Sequence, residues 1–315
     1  MTAQKPQPET VASRLEEIQA GRPAARRPGG ATVLLRSFST LWSVPKARIG
    51  LIMLGVFLLA AAFAPLLAPY DAHDNSFGRN EAPSAAHWFG TTGAGEDVLS
   101  QVIFGAQVSV LVGLVAGAGA MLIAVVVGLA WGYARGFGAD VADFVVNLFL
   151  VIPGLPLMIV LAAYLRGGGL VMIMLVVIVT GWAWGARVLR AQAQTLRSRD
   201  FVTAAQFSGD GTARIVFREI LPNMLSLITG GFFGSATAAI LAESGLSFLG
   251  LGDPQTVSWG SMLFWAQNSN ALLTGQWVLL LAPGLCIALL ATSLTLINFG
   301  VDGLSNPRLR EGKGR

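Results

Sequence analysis

The sequence predicts an all-α polytopic membrane protein, and three observations lead to that prediction. Of the 315 residues, 54% are hydrophobic and only 12% are charged, whereas soluble domains carry about 25% charged residues. The mean hydropathy is +0.64. The chain also contains six apolar runs of the roughly 20 residues that a transmembrane helix requires.

The six predicted transmembrane helices follow one another along the chain. The first lies behind a basic leader and is too long for the apolar part of a signal peptide, so we interpret it as an uncleaved helix. The second is long enough to tilt in the bilayer or to project beyond it. The predicted spans are residues 49–69, 104–133, 141–164, 170–190, 223–244 and 276–299.

The segments outside the spans give the predicted domain organisation. A membrane domain covers residues 46–300, between an N-terminal tail of residues 1–45 and a C-terminal tail of residues 301–315. The first part of the N-terminal tail is rich in Pro, Arg, Gln and Glu and is expected to be poorly ordered. Apolar residues at helical spacing then predict either a short helix on the inner membrane surface or an extension of the first span. These residues are Leu34, Leu35, Phe38, Leu41 and Trp42.

The distribution of arginine and lysine predicts that both termini are cytoplasmic. In that orientation 19 of the 21 basic residues lie on the cytoplasmic side, and only Arg79 and Arg166 lie outside. Residues 70–103 and 245–275 are then outer loops, and residues 191–222 form the longest inner loop. The net charge of +4 is explained by these basic residues on the predicted cytoplasmic side. We therefore expect a lipid bilayer as partner and no nucleic acid.

Motifs for catalysis and cofactor binding are absent from the sequence. It has no GxxxxGK[ST] phosphate loop, no GxSxG elbow and no HExxH zinc motif. The single cysteine, Cys286, lies in an apolar run, which is typical of a small buried hydrophobic residue. His73 and His87 lie in the first outer loop without clustered carboxylates. We therefore expect no catalytic residue, no metal and no cofactor in this chain.

Three carboxylates at the ends of spans are candidate functional groups. Asp140 and Asp143 lie at the start of the third span, and Glu243 lies at the outer end of the fifth. An ionisable residue at membrane depth is a functional candidate. Solvation at a helix end explains these positions equally well.

The inner loop contains a short polar segment, residues 200–223, between two spans. Asp200 can cap a helix that contains Ala204 and Ala205, whose small side chains let another surface approach closely. The segment therefore predicts a short docking helix.

An elbow is predicted after this helix. Gly209 and Gly211 allow the backbone to turn sharply. Pro222 can then begin the helix of the fifth span.

The same segment resembles the cytoplasmic Glu-Ala-Ala motif of the permease subunits of ABC importers. That motif continues to a glycine and a Leu-Pro-like ending, which match Gly209 and Leu221-Pro222, although Thr203 stands in place of the glutamate. The resemblance implies coupling to an ATPase through six residues. They are Phe201, Ala204, Ala205, Gly209, Asp210 and Arg214.

Other motifs narrow the resemblance to the dipeptide/oligopeptide permeases, whose relatives carry peptides, nickel chelates and oligosaccharides. The most specific is residues 246–252, Leu-Ser-Phe-Leu-Gly-Leu-Gly, followed by Ser258-Trp259-Gly260. The resemblance covers about residues 45–310 and is to the C-type member of a permease pair. Matching residues also include Asp97-Val98-Leu99-Ser100 and Asn306-Pro307-Arg308.

The resemblance implies a type I importer fold of six transmembrane helices with a cytoplasmic coupling helix. It implies import of peptides across the bacterial cytoplasmic membrane, with oligosaccharides or nickel chelates as alternatives. The implied partners are a second homologous permease, a cytoplasmic ABC ATPase and an extracytoplasmic solute-binding protein. ATP and Mg would bind to the ATPase.

Four residues depart from the family pattern near the outer mouth. At Thr92, Glu96, Gln101 and Gln107 the family usually has Asp, Arg, Arg and Arg. The loss of three basic residues affects the assignment of peptides as the substrate but not the assignment of the family. The alternative is that those arginines only form a structural ion pair in the family.

An outer gate is predicted in the segment of residues 244–252. Its glycines allow turns, and its apolar side chains favour a plug or re-entrant segment over the alternative of a simple helix end. The predicted gate residues are Glu243, Leu246, Phe248 and Leu249.

Two other functions are weighed against an importer. A secondary transporter predicts broken helices in paired halves and carboxylates at the midplane, which the sequence does not indicate. A membrane scaffold has no need of an apolar, glycine-rich outer segment.

Overall fold

The structure, a computed structural model, describes residues 41–133, 136–165 and 169–305, with side chains as far as Val301. Five helices in these ranges are long and apolar enough to cross a membrane, and a bent helix pair provides a sixth crossing if it counts as one span. In chain order the helices are α1 (Pro45–Ala62), α2 (Ala64–Leu67), α3 (Val98–Tyr133), α4 (Phe137–Val151), α5 (Gly154–Tyr164), α6 (Gly169–Arg197), α7 (Asp200–Phe207), α8 (Thr212–Ile215), α9 (Leu221–Phe248), α10 (Trp259–Asn268) and α11 (Val278–Ser305).

The second span is longer than its apolar run indicates. The helix α3 has 36 residues, which corresponds to about 54 Å at 1.5 Å per residue. It begins at Val98, six residues before the predicted start of the span. Val98 is fully buried, so this first turn is stabilised by packing within the protein. The prediction of a span that tilts or projects agrees with this length.

The third predicted span is a bent pair of helices rather than one continuous helix. Helices α4 and α5 meet at an angle of 87°, and Ile152 between them has an extended backbone, with φ −68° and ψ 127°. Pro153 follows Ile152, and a proline disfavours the helical conformation in the residue before it. Its ring nitrogen also cannot donate a helical hydrogen bond. The break is the one bent pair in the described residues, so it does not form the paired breaks of a secondary transporter.

Helix α3 packs against both α6 and α9 through small residues. A Cβ atom on Gly117 would lie 2.6 Å from the Cα atom of Ala236, and one on Gly128 would lie 2.8 Å from the Cβ atom of Leu189. Both distances are shorter than van der Waals contact allows, so the helices meet at their backbones. Close approach at small residues is how membrane helices gain packing energy in lipid.

Two groups of buried side chains lie at the two ends of this bundle. We call them the outer cluster and the inner cluster after the predicted orientation. The outer cluster joins the start of α3 to α10 and α11 and includes Val98, Val102, Trp259, Leu290 and Leu294. The inner cluster joins the ends of α3 and α6 to the polar segment that follows them. Its members include Leu189, Ala193, Val202, Ile215, Ile220 and Met224.

The fifth span begins earlier than its apolar run. One π-helical turn, Val216–Ile220, joins α8 to α9, so the helical path is continuous over Thr212–Phe248. Pro222 lies in the first turn of α9, as predicted. Most of the predicted surface helix in the N-terminal tail, including Leu34, Leu35 and Phe38, lies outside the described residues, as do Arg166 and residues 306–315.

Candidate functional site

Helix α7 coincides with the predicted docking helix. Arg199 is its N-cap residue, with an extended backbone, and no side chain caps the helix. Asp200 is therefore the first helical residue, and its predicted role as a cap is wrong. Its carboxylate still lies in the first turn, where the helix dipole favours negative charge.

The two faces of α7 differ in burial. Val202 is fully buried, and Ala205 packs beside it against the inner cluster. Ala204 and Phe207, three residues apart on the opposite face, are exposed, and the Phe207 side chain is 90% exposed. Sequence reasoning missed Phe207, although its spacing from Ala204 places the two on one helix face.

The elbow after α7 depends on Gly209. Its φ is +82°, a conformation that glycine adopts without strain. Its N–H donates to the carbonyl of Gln206 at 3.0 Å, and the N–H of Asp210 donates to the carbonyl of Ala205 at 3.1 Å. These two bonds form a Schellman motif, which terminates the helix. Gly211 has a φ of −70°, which any residue can adopt, so the conformational freedom of glycine is used at Gly209 and not at Gly211.

A surface ion pair follows the elbow. Arg214 donates to Asp210 at 2.8 Å across four residues. An exposed pair of this kind contributes about 0.5 kcal/mol or less to stability. Its effect is to hold the elbow against the first turn of α8.

Tyr133, the last residue of α3, contacts both α6 and α7. Its hydroxyl accepts a hydrogen bond of 2.9 Å from the side-chain amide of Gln206. Its carbonyl accepts one of 2.9 Å from Arg197, whose guanidinium lies 5.4 Å from the centre of the Tyr133 ring. Sequence reasoning missed this residue because the contact joins segments 73 residues apart.

The carboxylates at the start of α4 have different surroundings. Asp143 forms an ion pair with Arg190 of α6, and Arg187 donates to Asn147 nearby. These contacts connect α4, the first helix of the bent pair, to α6. Asp140 is exposed in the first turn of α4.

Glu243 is buried, and the interpretation of a solvated helix end is wrong. Its side chain is 1% exposed and accepts hydrogen bonds from the hydroxyls of Ser258 at 2.8 Å and Ser247 at 2.9 Å. Ser244 lies within 3.4 Å of the same carboxylate. Because Ser258 is also the N-cap of α10, Glu243 links the end of α9 to the start of α10.

Trp259 follows directly in α10 and is fully buried. Its indole N–H donates to the carbonyl of Val102 at 2.9 Å, and its ring meets Phe57 edge to face at 5.5 Å. These contacts fix α10 against α1 and α3. The motif Ser258-Trp259-Gly260 therefore has a packing role in this structure.

The predicted gate residues do not form one cluster. Residues 244–248 continue α9 as a simple helix end, and the chain turns at Gly250, where φ is +75°. Leu246 is fully buried, whereas Phe248 is 37% exposed and Leu249 is 55% exposed. The gating role itself stays a prediction.

Three of the four residues that depart from the family pattern form one hydrogen-bonded group. Glu96 accepts hydrogen bonds from the hydroxyl of Thr92 at 3.1 Å and the amide of Gln101 at 2.9 Å, both at Oε2. Gln107 lies apart and donates to the carbonyl of Ala61 at 2.8 Å, which ties α3 to α1.

Comparisons with known proteins agree with this architecture. Residues 124–311 match the family described as binding-protein-dependent transport system inner membrane component. Residues 41–83 match the N-terminal TM domain of oligopeptide transport permease C.

The chain is similar to several curated permeases. It is 31% identical to the oligopeptide transport system permease protein OppC of Bacillus subtilis (strain 168) in an alignment of 300 residues that covers 92% of this chain and 97% of that protein. It is 34% identical to the dipeptide transport system permease protein DppC of the same organism, over 84% of this chain and 82% of that protein. A putative peptide permease protein of Brucella suis biovar 1 is 32% identical over 94% of this chain and 97% of that protein. The chain is therefore a multi-pass membrane protein of the family of inner membrane components of binding-protein-dependent transport systems.

Proposed function

We propose that this chain is one of two homologous permeases that form the translocation pathway of an ATP-driven peptide importer in the bacterial cytoplasmic membrane. Its termini lie in the cytoplasm, where an ABC ATPase binds ATP and Mg. A solute-binding protein delivers the peptide from the opposite side. The chain itself performs no catalysis. The peptide substrate is inferred from the relatives named for peptides, dipeptides and oligopeptides.

The exposed face of α7 carries the proposal. Ala204 and Phe207 present a small residue and a largely exposed aromatic ring on a short helix. Aromatic side chains are enriched in the energetically important parts of protein interfaces. We infer that the ATPase receives Phe207 in a pocket and approaches the backbone of α7 closely at Ala204.

The opposite face of α7 provides the route into the membrane. Val202 packs in the inner cluster with Ile215 and Met224, and Gln206 bonds to Tyr133. Movement of α7 therefore acts on the ends of α3, α6 and α9 together. A switch of this kind requires two packed arrangements of the helix bundle. Closure of the ATPases would shift the equilibrium from one arrangement to the other.

The long helical path over Thr212–Phe248 can carry this movement to the other side. Its 37 residues correspond to about 55 Å. The α9 end of this path is attached to α10 through Glu243 and Ser258. A shift at the elbow would thus move the predicted gate residues Phe248 and Leu249.

Peptide selection resides mainly in the solute-binding protein under this proposal. The membrane helices are almost uniformly apolar, and such a lining suits weak binding and release. The proposal is tested by reconstituting the complete transporter in liposomes and measuring uptake of a labelled dipeptide. Accumulation should require ATP and the solute-binding protein. Uptake of an oligosaccharide or a nickel chelate in place of the dipeptide would contradict the peptide assignment.

A further inference from the structure

A cleft lies between the first outer loop and α10. Its volume is about 810 Å³, which is within the usual range of roughly 300–1,000 Å³ for small-molecule sites. We call it the outer cleft and define it by its lining residues His73, Arg79, Glu96, Gln101, Met262 and Trp265. It combines charged groups with an apolar wall.

Glu96 is the oriented anion of the outer cleft. Its Oε2 atom accepts hydrogen bonds from Thr92 and Gln101, and Gln101 is buried and also donates to the carbonyl of Ala72 at 3.3 Å. Within the described ranges, no side chain donates to Oε1 and no arginine or lysine pairs with this carboxylate. A half-buried carboxylate fixed in this way has one oxygen available for an ammonium group, and charge-assisted hydrogen bonds are the stronger ones.

Arg79 brings the opposite charge to the same cleft. Its side chain is exposed, and it forms no ion pair with the described residues. A guanidinium binds a carboxylate through two parallel hydrogen bonds. In the same cleft, Met262 and the half-exposed ring of Trp265 provide an apolar surface.

We propose that the outer cleft is a low-affinity subsite for short peptides whose amino and carboxyl termini are both free. Glu96 binds the terminal ammonium, Arg79 binds the terminal carboxylate, and Trp265 contacts a side chain of the peptide. This subsite rests on the proposed import of peptides and specifies the substrate class further. It would hold a peptide after release from the solute-binding protein and before entry between the helices.

The test is a binding measurement on the assembled transporter in nanodiscs, without ATP and without the solute-binding protein. Saturation-transfer NMR is recorded with alanyl-phenylalanine, its N-acetyl form, its carboxyl amide, and N-acetyl-lysine amide. Alanyl-phenylalanine should bind in the millimolar range. Acetylation removes the charge-assisted hydrogen bond to Glu96, so it should weaken binding by at least about tenfold, which corresponds to about 1.4 kcal/mol.

Variants assign the two charged contacts. Glu96→Gln should weaken the binding of alanyl-phenylalanine about tenfold. In this variant the free peptide and its N-acetyl form should bind with equal affinity. Arg79→Gln should remove the difference between the free acid and the amide. Glu81→Gln is the matched control, since Glu81 is an exposed carboxylate in the same loop outside the cleft lining, and it should bind as wild type does.

Three results would overturn the subsite. The N-acetyl peptide binding as tightly as the free peptide, or Glu96→Gln having no effect, would show that Glu96 does not receive the ammonium. Tighter binding of N-acetyl-lysine amide would show a site for a side-chain cation instead. Dipeptide uptake by the same transporter distinguishes failure of the subsite from failure of the proposed function. If the transporter takes up dipeptides but peptide binding does not depend on Glu96, only the subsite is refuted. If the transporter takes up no peptide, the proposed function is refuted.

Discussion

The side-chain amide of Gln206 on α7 donates a 2.9 Å hydrogen bond to the hydroxyl of Tyr133 at the end of α3. Arg197 of α6 binds the carbonyl of the same tyrosine and lies over its ring. Three helices that are distant in the chain therefore meet at one residue. In the proposed function, this residue transmits the movement of α7 to the membrane bundle.

Tyr133→Phe should reduce the number of peptides transported per ATP hydrolysed while leaving ATPase binding intact. The substitution removes the hydroxyl but keeps the ring beneath Arg197. A hydrogen bond contributes about 1 kcal/mol, so we expect about a fivefold loss in the ratio of uptake to ATP hydrolysis in liposomes. Gln206→Ala should have the same effect, and the double variant should lose no more than either single variant. Additive losses would show that the two residues act separately.

Gly209→Ala should destabilise the elbow, whereas Gly211→Ala should not. Neither position has an atom within 4 Å of an added Cβ, so the space is equal and only the backbone differs. The φ of +82° at Gly209 costs an alanine about 1 kcal/mol. We expect slower ATP-driven uptake for Gly209→Ala and a greater loss for Gly209→Val, with wild-type uptake for Gly211→Ala. Equal effects at the two glycines would contradict the role of the left-handed conformation.

Glu243→Ala should lower thermal stability. It leaves the buried hydroxyls of Ser247 and Ser258 without their acceptor, at a cost of about 1–3 kcal/mol for each unsatisfied group. Unfolding can be followed with a thiol-reactive dye, since the half-buried Cys286 is the single cysteine. Glu243→Gln retains an acceptor oxygen and should lose less. A melting curve for Glu243→Ala that matches wild type would show that the carboxylate does not hold α9 to α10.

The gating prediction is tested by thiol labelling at Phe248 and Leu249. Both side chains are partly exposed at the end of α9, so cysteines there are accessible to a water-soluble maleimide once Cys286 is replaced. Trapping ATP on the complete transporter should change their labelling rates, because the gate would then open or close around them. A cysteine at exposed Leu273, outside the predicted gate, is the control. Identical rates with and without trapped ATP would rule out gating at these positions.

The sequence predicts the spans and α7 well because hydropathy and helix-ending glycine are local signals. Gly209 is predicted correctly because only its own φ is involved. The break at Pro153 is missed because membrane helices tolerate proline, so an apolar run containing one still reads as a single span. The burial of Glu243 is missed for a different reason: its acceptor role depends on Ser258, 15 residues away, beyond any periodic pattern. Tyr133 carries no local signal at all.

Ala205 illustrates how the structure refines a predicted site. The sequence places it with Ala204 on a docking surface, but Ala205 packs against the inner cluster and Ala204 is exposed. A large residue at Ala205 would therefore disturb packing within this chain. A large residue at Ala204 would instead separate α7 from a docked partner.

The most direct test of coupling through α7 is ATP-driven dipeptide uptake by the Ala204→Arg variant, measured with the amount of ATPase that co-purifies. Ala191→Arg, on an exposed alanine of α6, is the matched control. The account predicts that both variants reach the membrane at wild-type levels. Ala204→Arg should lose uptake and retain less ATPase, whereas Ala191→Arg should keep wild-type uptake and wild-type amounts of bound ATPase. Wild-type uptake by Ala204→Arg at normal membrane levels would contradict it.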